Sequence, residues 1–164
     1  MKLVNVELTE KEFEMIKNLR KNFKEVEVEN KLLGLDYKDK KELIKNGKHL
    51  DVFINDEDWE VRCRVALQGY GLDILVDDID EDVRGIVAMQ GYGLDILVHD
   101  VDSYVRREVA YQGYGLDILI NDDAWFIREA VAEQGYGLNK LINDSDCDVS
   151  DMAIKKLNKI ENNK

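Results

Sequence analysis

The chain has 164 residues, enough for one domain with a small appendage, and 45% of them are hydrophobic. The formal charge of −12 is therefore not that of a disordered polymer, and it is unevenly placed: residues 1–50 carry a net +2, residues 51–164 a net −14. Such an acidic stretch excludes gripping a phosphate backbone and favours basic protein surfaces.

Residues 1–35 come before any repeat. Thr9 followed by Glu12 has the form of a capping box for a helix to about Phe23, with Phe13, Ile16, Leu19 and Phe23 on its apolar side. The opening MKLVNVELTEKEFE carries acids from its seventh residue and has no long apolar run, so it is not read as a signal peptide. The alternation Glu25-Val26-Glu27-Val28-Glu29 fits a short strand or an irregular arm. The whole segment is expected to be a helical cap or arm, with a separate binding element as the alternative.

From Asp58 a 22-residue unit recurs four times, at Asp58, Asp80, Asp102 and Ala124, each copy ending in Gln-Gly-Tyr-Gly-Leu and a short apolar run. A fixed short period predicts one supersecondary unit stacked on copies of itself. Val61, Val65 and Ala66, repeated as Val83, Val87, Ala88, as Val105, Val109, Ala110 and as Ile127, Val131, Ala132, mark one side of a helix. Asp58 stands at the N-cap, and Gln68-Gly69 ends the helix with a glycine suited to a left-handed cap. About six residues remain before the next acidic start, room for a short α-helix or a 3₁₀ turn, with Leu72, Leu75 and Ile74 or Val76 pointing inward. Backward extension makes residues 36–57 a degenerate first repeat, through Gly47, Leu50 and Asp51. Forward extension makes 144–157 a closing helix with a frayed tail over 158–164. The expected fold is an all-α, right-handed α-solenoid over 36–157.

The D-x-x-V-R-x-x-V-A pattern followed by L-x-x-L and an acid resembles HEAT-like repeats. With so short a second element it is most similar to the leucine-rich repeat variant family. That resemblance implies alternating α and 3₁₀ helices in a right-handed superhelix, and a scaffold role. The cysteine cluster that holds an iron–sulfur centre in the founding member is absent, so no cofactor is carried over.

Candidate chemistry divides into structural and outward residues. Arg62, Arg84, Arg106 and Arg128 fall between the valines and the alanine, on the packed side, where a guanidinium needs a carboxylate. Asp58, Asp80 and Asp102, four residues earlier, are the expected ion-pair partners, with Asp73, Asp95 and Asp117 at a second recurring position. Lys40 and Ser150 replace the arginine in the end units, as expected where the stack has no further neighbour. Gln68, Gln90, Gln112 and Gln134 are expected to bond the adjacent unit's backbone, and Tyr70, Tyr92, Tyr114 and Tyr136 to stack over the seam.

Asp78-x-Asp80-x-Asp82 and Asp144-x-Asp146-x-Asp148 begin like calcium loops. The glycine and glutamate such loops require are Val83 and Met89 in one, Val149 and Lys155 in the other, so no metal is expected. Gly-Tyr-Gly follows a helix and lacks a lysine, unlike a phosphate loop. His49 and His99 stand alone and nothing pairs a nucleophile with a base, so no enzyme is expected. Cys63 and Cys147 form no ligand pattern and are expected as free thiols of a cytoplasmic protein.

The copies disagree on the outer side of the helix. Leu67, Asp82, Ile86, Met89, Tyr104, Glu108, Tyr111 and Phe126 read as an aromatic stripe with an acidic rim, suited to a protein partner of basic or mixed surface. The function expected is a non-catalytic scaffold, a monomer or weak dimer that binds neither nucleic acid nor membrane directly. The alternative is an acidic nucleic-acid mimic that inhibits a DNA- or RNA-binding protein.

Overall fold

The computed structural model describes residues 10–162, and within them every regular element is a helix. Helix α1 spans Glu10–Leu33, then α2 Tyr37–Lys45 and α3 Leu50–Phe53. A nine-residue helix next alternates with a four-residue one: α4 Trp59–Leu67, α5 Leu72–Leu75, α6 Glu81–Met89, α7 Leu94–Leu97, α8 Ser103–Tyr111, α9 Leu116–Leu119, α10 Trp125–Glu133 and α11 Leu138–Leu141. Helix α12, Cys147–Glu161, closes the series. Each long helix packs on the long helix of the next unit, α2 on α4 and so on to α12, so the units stack in chain order.

Local chemistry sets each helix length. At the start of α4, Asp58 is extended and its carboxylate accepts the Glu60 N–H at 2.9 Å. At the end, Gly69 takes φ +71, its N–H bonds Ala66 O at 2.8 Å and the Tyr70 N–H reaches Val65 O at 3.4 Å. This double closure satisfies carbonyls the helix leaves orphaned. Nine residues cannot hold a helix alone in water, so burial of one face must supply the stability. Val61, Val65 and Ala66 are buried, as are their counterparts in α6, α8 and α10. In the short helix it is Leu75 and Val76 that go inward, while Ile74 is 58% exposed. The short elements are α-helical turns rather than 3₁₀.

The second glycine of each turn sets the distance between units. A Cβ on Gly71, at φ +62, would lie 2.0 Å from Ile54 Cδ1 of the preceding unit. His49 occupies the matching place in the first unit at φ +57, the one left-handed residue other than glycine among those described.

Two expectations change at the ends, and one lies outside the described residues. Helix α1 continues through Glu25–Glu29, where alternation had suggested a strand or an arm. No strand is at hand to pair with, and no breaker occurs before Gly34. The Thr9 capping box and the Phe13 side chain lie outside the described residues. Helix α12 runs to Glu161, past the expected tail start at 158, with Met152 and Leu157 resting on the core. No described helix is long and apolar enough to cross a membrane.

Candidate protein-interaction face

The arginines are tied to the loop that leads into the next unit. Arg62 Nε and Nη2 donate to Asp78 Oδ2 and Oδ1 at 2.7 and 2.8 Å, a bidentate pair. Arg84–Asp100, Arg106–Asp122 and Arg128–Asp144 repeat it, each sixteen residues apart. The third nitrogen turns back to the loop before its own helix: Arg62 Nη1 donates to Asp56 O at 2.7 Å, and Arg84 Nη1 to Asp78 O at 2.8 Å. The aspartates also accept a backbone N–H two residues on, as Asp78 does from Asp80 at 2.9 Å. Each rung therefore joins two units and a helix start, and the rungs make a continuous ladder.

Asp58, Asp80 and Asp102 are not the partners of these arginines, contrary to the sequence reading. Their carboxylates accept from Glu60, Asp82 and Tyr104 N–H as helix N-caps, which turns them from the guanidinium. Asp73, Asp95 and Asp117 are exposed on the short helices. The signal passed over was a second acid two residues before each cap, at Asp78, Asp100, Asp122 and Asp144. Nor does the first unit lose its rung. Lys40 Nζ lies 2.7 Å from Asp56 Oδ2, in a pair as buried as the others. That oxygen has no partner at hydrogen-bonding angles, so charge alone holds it. Burial pushes the carboxyls of Asp100 and Asp122 up, but the arginine hydrogen bonds and the N–H donors outweigh it, and both lie below the ordinary value. Asp144 is lowered chiefly by its bond from Arg128.

The outer side of the long helices is less uniform. Leu67, Met89 and Tyr111, one residue per unit, are each between 43 and 47% exposed. Asp82 is exposed beside them. Ile86, Tyr104 and Phe126, expected to face solvent, are half-buried and rest on the core. Glu108 is buried outright and receives Arg107 Nη2 at 3.0 Å. The expected stripe is thus an exposed row with a half-buried row beneath it. The cause is the space between units: a Cβ on Gly85 would fall 2.2 Å from Tyr104 Cε1, so that glycine leaves room for the ring to lie across α6.

Between α2, α4, α6 and α8 this packing leaves a surface groove of about 280 Å³, walled by Tyr37, Trp59, Ile86 and Tyr104, with Glu60 and Asp82 on its lining. Arg64 braces one end, its Nε donating to Tyr37 Oη at 2.6 Å with Cζ 5.3 Å from the ring centre. Arg107, outside the lining, lies over the Tyr104 wall from its own helix, its Cζ 5.1 Å from the Tyr104 ring centre and 5.9 Å from that of Tyr111. The sequence reading did not single out Tyr37 and Trp59, and it placed Arg64 and Arg107 on the outer side without their aromatic partners; the Arg64–Tyr37 contact joins helices 27 residues apart.

The acids here lack such bracing. Burial and the charges of Asp80, Glu81 and Asp102 raise the Asp82 carboxyl; burial and Asp148, Glu133 and Asp146 raise Glu129. Neither forms an ion pair among the described residues. Cys63, on the groove wall, is pushed up to about 12 by burial and the nearby carboxylates, so it is a thiol without nucleophilic character. Both cysteines are free.

The remaining expectations divide. Gln134 Nε2 donates to Tyr111 O of the preceding unit at 3.3 Å, and Lys156, in the glutamine's place in α12, reaches Glu133 O in the same way. Gln68, Gln90 and Gln112 show no such bond. The four turn tyrosines are 41 to 43% exposed in a row without ring stacking; the one aromatic pair among the described residues is Trp125 with Phe126. Asp146, Cys147 and Asp148 bring ligand atoms within 4.8 Å of one another, but Asp146 is occupied in capping α12. Ile79 and Val101, in the loops beside the ladder, are 92 and 93% exposed, which no periodicity had indicated. Comparison with protein families, curated proteins and solved structures found no match to this chain.

Proposed function

We propose that this chain is a non-catalytic scaffold that binds a protein partner with a basic or mixed surface through the outer face of its long helices. In this reading it is a right-handed α-solenoid of HEAT-like units, nearest the leucine-rich repeat variants; support comes from the alternation of nine-residue and four-residue helices stacked in order. The observation that carries the functional part is the groove. Aromatic walls beside carboxylates that form no ion pair among the described residues suit an arginine or lysine side chain, with the exposed Leu67–Met89–Tyr111 row giving apolar contact. The ladder aspartates are already neutralised by arginines, which removes one regular row of charge from the nucleic-acid-mimic reading.

The test is capture from native lysate with wild type and with Met89→Ala/Tyr111→Ala, both exposed positions, and with Ile79→Ser/Val101→Ser as a surface control. The groove-side pair should lose the bound protein with helicity and melting temperature unchanged, and the control should keep it. Displacement by DNA or heparin with a steep salt dependence would instead favour the mimic. Binding unaffected by the groove-side pair would remove this face from the reading.

A further inference from the structure

We propose that α1 is a self-association helix, whose exposed apolar seam pairs antiparallel with the same helix of a second copy of this chain. The helix has 24 residues and is about 36 Å long, yet its tie to the repeats is at its C-terminal end, where Leu32 rests on the core and α1 packs on α3. Beyond that end Met15 is 63%, Leu19 50%, Phe23 78% and Val26 53% exposed. A phenylalanine so open on a regular helix is a contact without its partner. Ile16, Leu19, Phe23 and Val26 follow one another by three, four and three residues, the spacing of a two-helix seam.

Charge selects the occupant and its direction. Residues 16–24 hold Lys17, Arg20, Lys21 and Lys24 and no acid; residues 25–29 hold Glu25, Glu27 and Glu29 and no base. An antiparallel copy sets each basic half against the other's acidic half, whereas a parallel copy sets like against like. Taking Phe23 opposite Val26 of the other copy as the central layer, Arg20 and Glu27 flank the seam on the same side and face each other across it, once at each end of the pair. Pairing in parallel brings these two residues nowhere near each other. The intrahelical contacts Lys17–Glu14 and Lys21–Glu25 are exposed and give way readily.

Sedimentation velocity on the full chain, from low micromolar concentration upward, tests the pairing. Wild type should show a monomer–dimer equilibrium, and Leu19→Glu/Phe23→Glu should be monomeric throughout with the melting of the repeats unchanged. Arg20→Glu alone and Glu27→Arg alone should each weaken the dimer about tenfold or more, since like charges then meet twice. The double variant Arg20→Glu/Glu27→Arg should restore it. A wild type that stays monomeric at every concentration overturns the proposal, and so does a monomer in which Phe23→Glu lowers the melting temperature, which would mean the chain's own residues 1–9 or its repeats cover the seam. A dimer that survives Leu19→Glu/Phe23→Glu places the interface elsewhere, and failure of the double variant to recover excludes the antiparallel arrangement.

Discussion

Two sets of charges share the long helices and are treated in opposite ways. The ladder arginines recur in every full unit, are largely buried, and have all their reach used by one carboxylate and a carbonyl. The acids on the outer side differ from unit to unit, and burial and neighbouring carboxylates both raise Asp82 and Glu129. The stacking itself satisfies the ladder charges, whereas Asp82 and Glu129 form no ion pair among the described residues.

The sharpest way to break that contrast is to cut one rung. Arg84→Ala leaves Asp100 buried against the next unit without its counter-charge, and should cost about 3 kcal/mol or more in a denaturant titration. Asp82→Ala, on the other side of the same helix, should be neutral to mildly stabilising, because it removes repulsion. Equal losses from the two would mean the face is as structural as the ladder. The pH dependence should divide the same way. Asp100, Asp122 and Asp144 lie below their unfolded value, so their contribution is present above that value and is lost as pH falls through the lower folded ones. Asp82 and Glu129 lie above theirs, so they work against folding as pH rises past the unfolded value and gain nothing from a neutral medium. Acid melting curves of wild type and Asp82→Ala/Glu129→Ala should therefore converge at low pH and separate toward neutrality.

The turn glycines give the next largest effect, and they separate conformation from space. Gly69 and Gly93 have similar left-handed φ, but a Cβ meets nothing within 4 Å at Gly69, whereas at Gly93 it falls 2.5 Å from Val76 Cγ2. Gly69→Ala should cost about 1 kcal/mol, for the left-handed conformation alone. Gly93→Ala adds overpacking between units and should cost about 3 kcal/mol. Similar losses at both would mean the units separate easily and the close approach is not needed for stability.

How much of this the sequence revealed follows the same division. The buried valines and alanines, the caps and the two-helix unit were legible because a period makes each copy a check on the others. The ladder was half legible: the helical phase of Arg62 demanded a carboxylate, but local spacing offered Asp58, and only three-dimensional stacking brings in Asp78 from sixteen residues on. The groove was least legible. Tyr104 lies over Gly85, and Arg64 meets Tyr37 across 27 residues, so the half-burial of the expected stripe depends on pairs that occur once each. The helix of residues 25–29 was misjudged since alternation says nothing when no sheet exists to receive it.

The smallest effect concerns the one full unit that departs from the rule at its start. Helices α4, α6 and α8 are capped by Asp58, Asp80 and Asp102, but α10 begins after Ala124, which has no side chain to offer the Phe126 N–H. The backbone is already right, at φ −79 and ψ 119, and Asp122 already holds the Ala124 N–H at 3.0 Å. Ala124→Asp should therefore stabilise the chain by about 0.5–1 kcal/mol, read as a rise in denaturant midpoint with unchanged slope. The gain is limited because the new carboxylate joins Asp122 and Asp123 in an acidic loop, so it should grow with added salt as that repulsion is screened. A loss of stability at every salt concentration would mean that charge crowding outweighs capping here, and that alanine at this start offsets a density of acid the other units do not carry.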